Sequence, residues 1–435
     1  MKDMAPDPSD FLRNFALEKA PPEVIARAKL HLLDLCGIAQ GGSRTKLAGI
    51  INAHAAEDFA GEMPMLCSDL TASPLGVALA GGMTIDALDG HDGSNPTKGH
   101  VGCALLPGMM ALAPTDCSGD AFLEALILGY EYGTRLGTVL HATTPDYHTS
   151  GAWMAVAVAA VGARLQGLND VQTAHAMGIA EYHGPRSQMM RVIDTPTMLK
   201  DGSGWGAMAG VSAVRLAAKG FTGAPALTLD GPVWQDLGTR WYMLEQYVKP
   251  YPTCRWSHGP VEAALGLQRA HGFSAADVAK IEVETFHNAC RLACNDPKTT
   301  EEAQYSTSYP VAIALSRGGI GPFDLDEDAL NDPEIRRLSL AMTMSEHADA
   351  ERVYPGKRIA RVRISLISGD VHQSEWQEPK WESTAPPTAG ELREKYDSIA
   401  VPVAGIDRAG RIADAIEALP DAGIAPLLEG LSGAP

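Results

Sequence analysis

The chain has 435 residues, with 35 Lys+Arg against 53 Asp+Glu and a formal net charge of −18. A hydrophobic share of 45% beside 20% charged residues is the balance of a folded globular protein, and the length predicts roughly two or three domains, each able to bury a core. The acidic excess argues against non-specific nucleic-acid binding and against an anionic membrane surface.

In chain order, the N-terminus MKDMAPDPSDF has one Lys, several acids and no hydrophobic stretch, so it does not read as a secretory signal. Pro21-Pro22 opens a predicted helix whose apolar residues recur at i, i+3 and i+4 and whose exit is Gly41-Gly42. Further helices are predicted over 74–89, 106–112, 121–136, 152–166, 171–182 and 206–219. Many of their contact positions are Ala, Gly or Ser, which predicts helix axes packed closely together. The most apolar run, Gly151 to Ala163, falls short of the ~20 residues a membrane helix needs.

The pattern changes after Lys249. Residues 279–285 and 359–368 alternate apolar with polar side chains, as half-buried strands do, and 370–376 is the predicted hairpin partner of the second. Helices are predicted near 257–271, 308–317 and 332–340, and, past the Pro-rich stretch 378–387, over 389–398 and 408–419. The expected fold is mainly α: a large all-helical domain over 1–250, to which C-terminal helices 388–435 return, and a smaller inserted α+β lid domain over 251–387. No internal repeat is visible, and no strand–glycine-loop–helix unit suited to a dinucleotide or phosphate.

The seven cysteines are odd in number and scattered, which predicts reduced thiols and a cytoplasmic location. Cys290 and Cys294 with His287 imitate half a metal site, but no second pair with ligand spacing follows, so no metal and no cofactor is expected.

Five segments concentrate chemistry. Asp86 to Gly102 crowds Asp86, Asp89, His91, Asp92, Lys98 and His100 into one loop, which reads as a polar surface loop, an acid–base site or a metal site of phosphohydrolase type. Asp146 to Gly151 places His148 beside a helix start that Thr149 or Ser150 can cap. Arg186 to Trp205 brings Lys200 to a glycine-rich turn, where backbone N–H groups and an ammonium suit an anion. Lys249 to His258 projects Lys249, Arg255 and His258 from a segment stiffened by two prolines. Gln304 to Tyr309 sets Tyr305 and Tyr309 at i, i+4, either a core stripe or a catalytic hydroxyl.

In this order the segments resemble the MmgE/PrpD family, which includes 2-methylcitrate dehydratase, cis-aconitate decarboxylase and iminodisuccinate epimerase. The matching stretches are HLLDLCGIAQGG, LDGHDGSNPTKGHVGCALLPGMMALA, GYEYGTRLG, YHTSGAW, TPTMLKDGSGWGAMAG with GFTGAP, KPYPTCRWSHGP and SYPVAIAL, over about residues 10 to 430. The resemblance implies Asp89, His100, Lys200, His258 and Tyr309 as catalytic residues, and Ser94, His148, Lys249 and Arg255 as substrate-binding residues. Three departures stand out: Gly93 lengthens the acidic loop, Ser203 stands where many relatives carry a His, and Cys254 where the decarboxylase has one.

What the resemblance implies is a metal-independent, cofactor-independent lyase of the dehydratase type, acting on a small anionic hydroxy polycarboxylate, with homodimerisation. Such a reaction removes a proton next to a carboxylate, so it needs a base poised near neutrality and cations to hold the developing charge. His100 paired with Asp89 fits the first need, Lys200, Lys249 and Arg255 the second, and Tyr309 a proton donor. Epimerisation or decarboxylation by the same proton abstraction is the alternative. A metal-dependent phosphohydrolase and a non-catalytic carboxylate binder are alternatives of other classes.

Overall fold

The computed structural model describes residues 7–435, so the reading of residues 1–6 as free of a leader lies outside the described residues. Pro22 stands in the first turn of the helix Pro22–Gly42, where its missing N–H removes no helical bond. The predicted helices that follow are Pro74–Leu88, Gly102–Leu112, Gly119–Thr143, Ser150–Leu165, Asp170–His183 and Ser203–Ala218. Side chains of Ser73, Ser118 and Asn169 cap three of them, satisfying backbone N–H groups the helices cannot. The helix Lys46–Asp58 is an addition to the prediction; its short KLAGIINAHAAED sequence has too weak an apolar stripe to stand out.

The described chain divides into two compact units. The first takes the residues up to Met189, Lys200–Gln246 and Pro387–Pro435; the second takes Met190–Leu199 and Tyr247–Pro386. Helices make most of the first unit, which is not all-helical as expected, since Met63–Pro64 pairs antiparallel with Thr71–Ala72; glycine lets three of the helices close on one another. A Cβ added at Gly82 of Pro74–Leu88 would lie 2.6 Å from the Gly204 Cα of Ser203–Ala218, and one at Gly206 would meet the backbone of Gly151. That approach brings the start of Ser203–Ala218 against the end of Pro74–Leu88 and the start of Ser150–Leu165. The C-terminal helix Ala389–Ala404, opened by a Thr388–Glu391 capping box, turns Leu392, Lys395, Tyr396 and Ile399 into the interior.

The second unit holds a four-stranded sheet in the order Met342–Glu346, Val278–Thr285, Arg361–Leu366, Val371–Gln373. The first pair is parallel and the others antiparallel. A register shift between Val278 and Lys280 puts Val278, Ile281 and Val283 on one buried face despite their uneven spacing. Helices His258–His271 and Tyr309–Arg317 supply Val261, Leu265, Val311 and Ile313 to the same core. The strand Met342–Glu346 escaped prediction because MTMSE follows the helix Pro333–Leu340 almost directly and reads as its tail. Together the elements make a mainly α protein. Among the described residues no helix is long and apolar enough to cross a membrane, and all seven cysteines are free thiols.

Candidate active site

The helix Pro74–Leu88 ends where Asp89 takes a left-handed conformation, φ 51°, which turns the chain back into the loop that carries His91, Asp92, Ser94 and His100. Lys200, φ 52°, adopts the same conformation just ahead of Ser203–Ala218. For a residue with a Cβ this costs roughly 1–2 kcal/mol, so the surrounding structure must hold both backbones there. Asp89 and Lys200 are also buried. Two residues expected at the site from sequence thus sit at strained, enclosed positions of the first unit.

Asp92 organises the loop. Its Oδ2 accepts from the N–H groups of Val101 and Gly102, each at 3.3 Å, at the start of Gly102–Leu112. Its Oδ1 accepts from the Tyr130 hydroxyl at 3.0 Å. The Asp92 backbone carbonyl faces two imidazoles: His100 Nδ1 at 2.6 Å and His91 Nδ1 at 3.3 Å. A carbonyl only accepts, so His100 carries its proton on Nδ1 and offers Nε2 as the basic nitrogen. The Asp92 carbonyl is the group that holds Nδ1.

A second chain of bonds ties His100 to the lysine segment. The His100 N–H donates to Ser150 Oγ at 2.8 Å, and Ser150 Oγ donates in turn to Asp201. Asp201 Oδ1 accepts the Ser150 N–H at 2.9 Å, and the Asp201 N–H donates to Asp86 Oδ2 at 3.1 Å. Three segments far apart in sequence, around Asp86–His100, Ser150 and Lys200–Asp201, therefore meet in one place. Burial and the neighbouring Asp86 charge push the Asp201 carboxyl up to about 7. Burial acts against the Asp86 charge as well, but the hydrogen bond and charge of His91 outweigh it and hold that carboxyl below its usual range.

Lys395 closes the loop from behind. It is buried in Ala389–Ala404, donates from Nζ to the Gly90 carbonyl at 2.7 Å and pairs with Asp34 at 2.5 Å. The sequence reading missed Lys395, Asp201 and the placing of His91. For Asp201 its position next to Lys200 was an available signal; for Lys395, on a helix with charges on several faces, there was none.

The remaining expected residues of this unit lie around the same loops. The buried Ser94 donates its N–H to the Gly99 carbonyl at 2.9 Å, pinching the loop between these two residues. His148 bonds the Asp146 carbonyl through Nδ1 at 2.9 Å, and its N–H donates to His141 Nε2 at 3.2 Å. Burial and then Lys98 push His141 down to about 4, which keeps that nitrogen an acceptor.

In the second unit Lys249, Arg255 and His258 are all buried. Arg255 donates to the Val248 and Lys380 carbonyls at 3.3 and 2.9 Å and to Glu382 at 2.8 Å, with its guanidinium over the Tyr247 ring. His258 Nε2 meets the Thr253 carbonyl at 3.2 Å, and its Nδ1 lies 3.4 Å from Arg255 Nη1. Tyr309 is 1% exposed and its hydroxyl donates to the Ala329 carbonyl at 2.6 Å, a packing geometry that engages the proton a donor would deliver.

Asp86, His91 and Cys103 form a group whose donor atoms lie within 4.8 Å of one another, spacing that would admit a cation. Within the group His91 Nε2 faces Asp86 Oδ1 at 3.4 Å, while Cys103 donates outside it, to Ser203 Oγ at 3.0 Å. Burial, then the charge of Asp86, keeps Cys103 a thiol, the poorer ligand form. The arrangement offers an imidazole oriented by one carbonyl, with the buried Lys200 on a segment that Asp201 ties to the same place.

Residues 8–236 match the MmgE/PrpD N-terminal domain and residues 251–421 the MmgE/PrpD C-terminal domain. The chain is 24% identical over 460 residues to cis-aconitate decarboxylase of Aspergillus terreus, covering 96% of this chain and 93% of that protein. It is also 24% identical over 469 residues to the cis-aconitate decarboxylase-like protein oryM of Aspergillus oryzae, covering 95% and 94%. With both family domains matched along most of its length, the chain belongs to the MmgE/PrpD family.

Proposed function

We propose that the protein is a lyase of the dehydratase type that acts on a small hydroxy polycarboxylate through its own acid–base groups and cations. His100 Nε2 removes a proton from a carbon next to a carboxylate, and Lys200 holds the negative charge that develops. The β-hydroxyl then leaves, taking the proton that His100 Nε2 has gained, so that water departs and the unsaturated acid forms. In the family pattern Ser94 and His148 of the first unit are substrate-binding residues; in the second unit, taken by itself, Lys249 has the same role and His258 is catalytic. Arg255 serves by bracing its own turn, since carbonyls and Glu382 already occupy its fork. Asp89 contributes charge and the left-handed turn that starts the loop. A cytoplasmic homodimer belongs to the same reading, and light scattering checks the dimer.

The observation that carries this reading is the hold on His100. One carbonyl fixes its tautomer, and the Ser150–Asp201–Asp86 chain fixes its backbone against the lysine segment. A second reading, decarboxylation of an unsaturated tricarboxylate, is favoured by what the two Aspergillus relatives are named for. The two separate by product. Incubation with citrate, 2-methylcitrate, cis-aconitate and their isomers, followed by proton NMR and by trapping of CO₂, gives an alkene and no CO₂ if water leaves. Release of CO₂ from cis-aconitate selects the second reading. No turnover of any member by folded protein rejects both.

A further inference from the structure

His91 has no place in the scheme above, yet it is fully buried against the residue that does the chemistry. Its ring lies edge-to-face with His100, centroids 4.6 Å apart, and both rings direct Nδ1 at the same Asp92 carbonyl. On its other side His91 Nε2 faces the Asp86 carboxylate at 3.4 Å. The carbonyl asks for a proton on Nδ1, and the Asp86 charge, at ion-pair reach from Nε2, favours a second proton there. A neutral imidazole has only one such proton and would leave one acceptor facing a bare lone pair in a dry interior, which is unfavourable. Two protons on His91 satisfy both contacts, and Asp86 balances the charge.

We propose that His91 is a positioning residue: held as an imidazolium against Asp86, it keeps the adjacent His100 ring singly protonated on Nδ1, with Nε2 as the basic nitrogen. Two like charges at this separation repel strongly in a low-dielectric interior, so a second proton on His100 is opposed as long as His91 carries one. Apart from the two rings, the ionisable groups facing the pair are mostly acids. Asp86 comes from Pro74–Leu88, Asp89 and Asp92 from the loop, the Cys103 thiol from Gly102–Leu112, Tyr130 through Asp92 from Gly119–Thr143, and Asp201 from the lysine segment. Asp34 of Pro22–Gly42 faces the same region and is already balanced by Lys395. The catalytic significance rests on His100 being the base; the protonation states of the two rings do not depend on that reading.

The test is long-range ¹H–¹⁵N NMR of the full chain with ¹⁵N-labelled histidine, with His91→Gln and His100→Gln used to assign the two rings. In the wild type at pH 7.5 the expected spectrum shows both nitrogens of His91 protonated, and His100 with Nδ1 protonated and Nε2 bare. In His91→Gln the midpoint for protonating His100 should rise by roughly 1 pH unit, because the opposing charge is gone. A merely structural role would leave that midpoint in place. A neutral His91 in the wild type, or an unmoved His100 midpoint in a folded His91→Gln protein, overturns the proposal. Should His91→Gln not fold, His91→Asn serves for assignment, and the wild-type spectrum alone decides. Because no substrate is used, failure to find turnover leaves this test untouched.

Discussion

The acidic loop of the first unit and the KPYPTCRWSH turn of the second both bury several ionisable side chains, but they bury them in different ways. In the turn, the cation is surrounded: Arg255 gives its fork to two carbonyls and Glu382 and lies over Tyr247. In the loop, the charges are shared in relays, from His91 to Asp86, from Asp86 to Asp201, and through Ser150 to His100. A closed set of bonds makes a rigid corner. A chain of bonds that ends on the His100 backbone fixes that residue in place while a single carbonyl orients its ring. The number of buried charges does not distinguish the two regions; where their hydrogen bonds terminate does.

That contrast can be broken most severely at its reactive end. His100→Gln and Lys200→Ala should each lower kcat/KM on the accepted polycarboxylate by roughly 10³-fold while circular dichroism is unchanged. A loss below tenfold for either would remove that residue from the proposed acid–base chemistry. Next in size is the brace behind the loop. Lys395→Met strands the Asp34 carboxylate in the interior, and urea unfolding should show a loss of about 3–5 kcal/mol. An unchanged midpoint would show that Asp34 is neutral in the native protein.

The surrounded cation gives a smaller effect of a different kind. Arg255→Lys keeps the charge but cannot reproduce the fork, and stability should fall by about 1.5–3 kcal/mol with KM altered less than stability. A KM that climbs by orders of magnitude in a stable protein would make Arg255 a substrate anchor after all. Tyr309→Phe removes the bond to the Ala329 carbonyl and should cost about 1 kcal/mol with kcat near wild type. A collapse of kcat there would restore the phenol as a proton donor.

The smallest effect is in pH. Burial pushes His31, stacked on Tyr130, down from 6.5 to about 4. The folded value lies below the unfolded one, so the contribution of neutral His31 is intact above pH 6.5 and is lost as pH falls towards 4. Melting temperature should therefore drop more steeply over that window in the wild type than in His31→Phe. Parallel curves would show that His31 is not held neutral.

Much of this was legible in the residues themselves. Helix starts announced by Pro and Ser and exits announced by glycine placed most of the first unit, and period-two alternation placed Val278–Thr285 and Arg361–Leu366. His100 and Lys200 stood out because each lies in a glycine-broken polar stretch with no helical stripe to absorb it. Lys395 did not, because a Lys on a capped helix reads as solvated until the helix is seen to turn that face inward. Nor could one sequence reveal that His91 and His100, nine positions apart in a loop, meet over a single backbone carbonyl. The strand Met342–Glu346 was hidden for a related reason: its pairing with Val278–Thr285 is a tertiary fact, and its own five residues carry almost no apolar alternation.

The central claim is that His100 is the base for a carbon acid, and solvent deuterium tests it most directly. Wild-type protein in D₂O should introduce deuterium at the carbon next to a carboxylate of an accepted polycarboxylate, read by proton NMR, and His100→Gln should introduce none. Equal incorporation by the variant, or none by a folded wild type that still converts the same compound, would contradict the account.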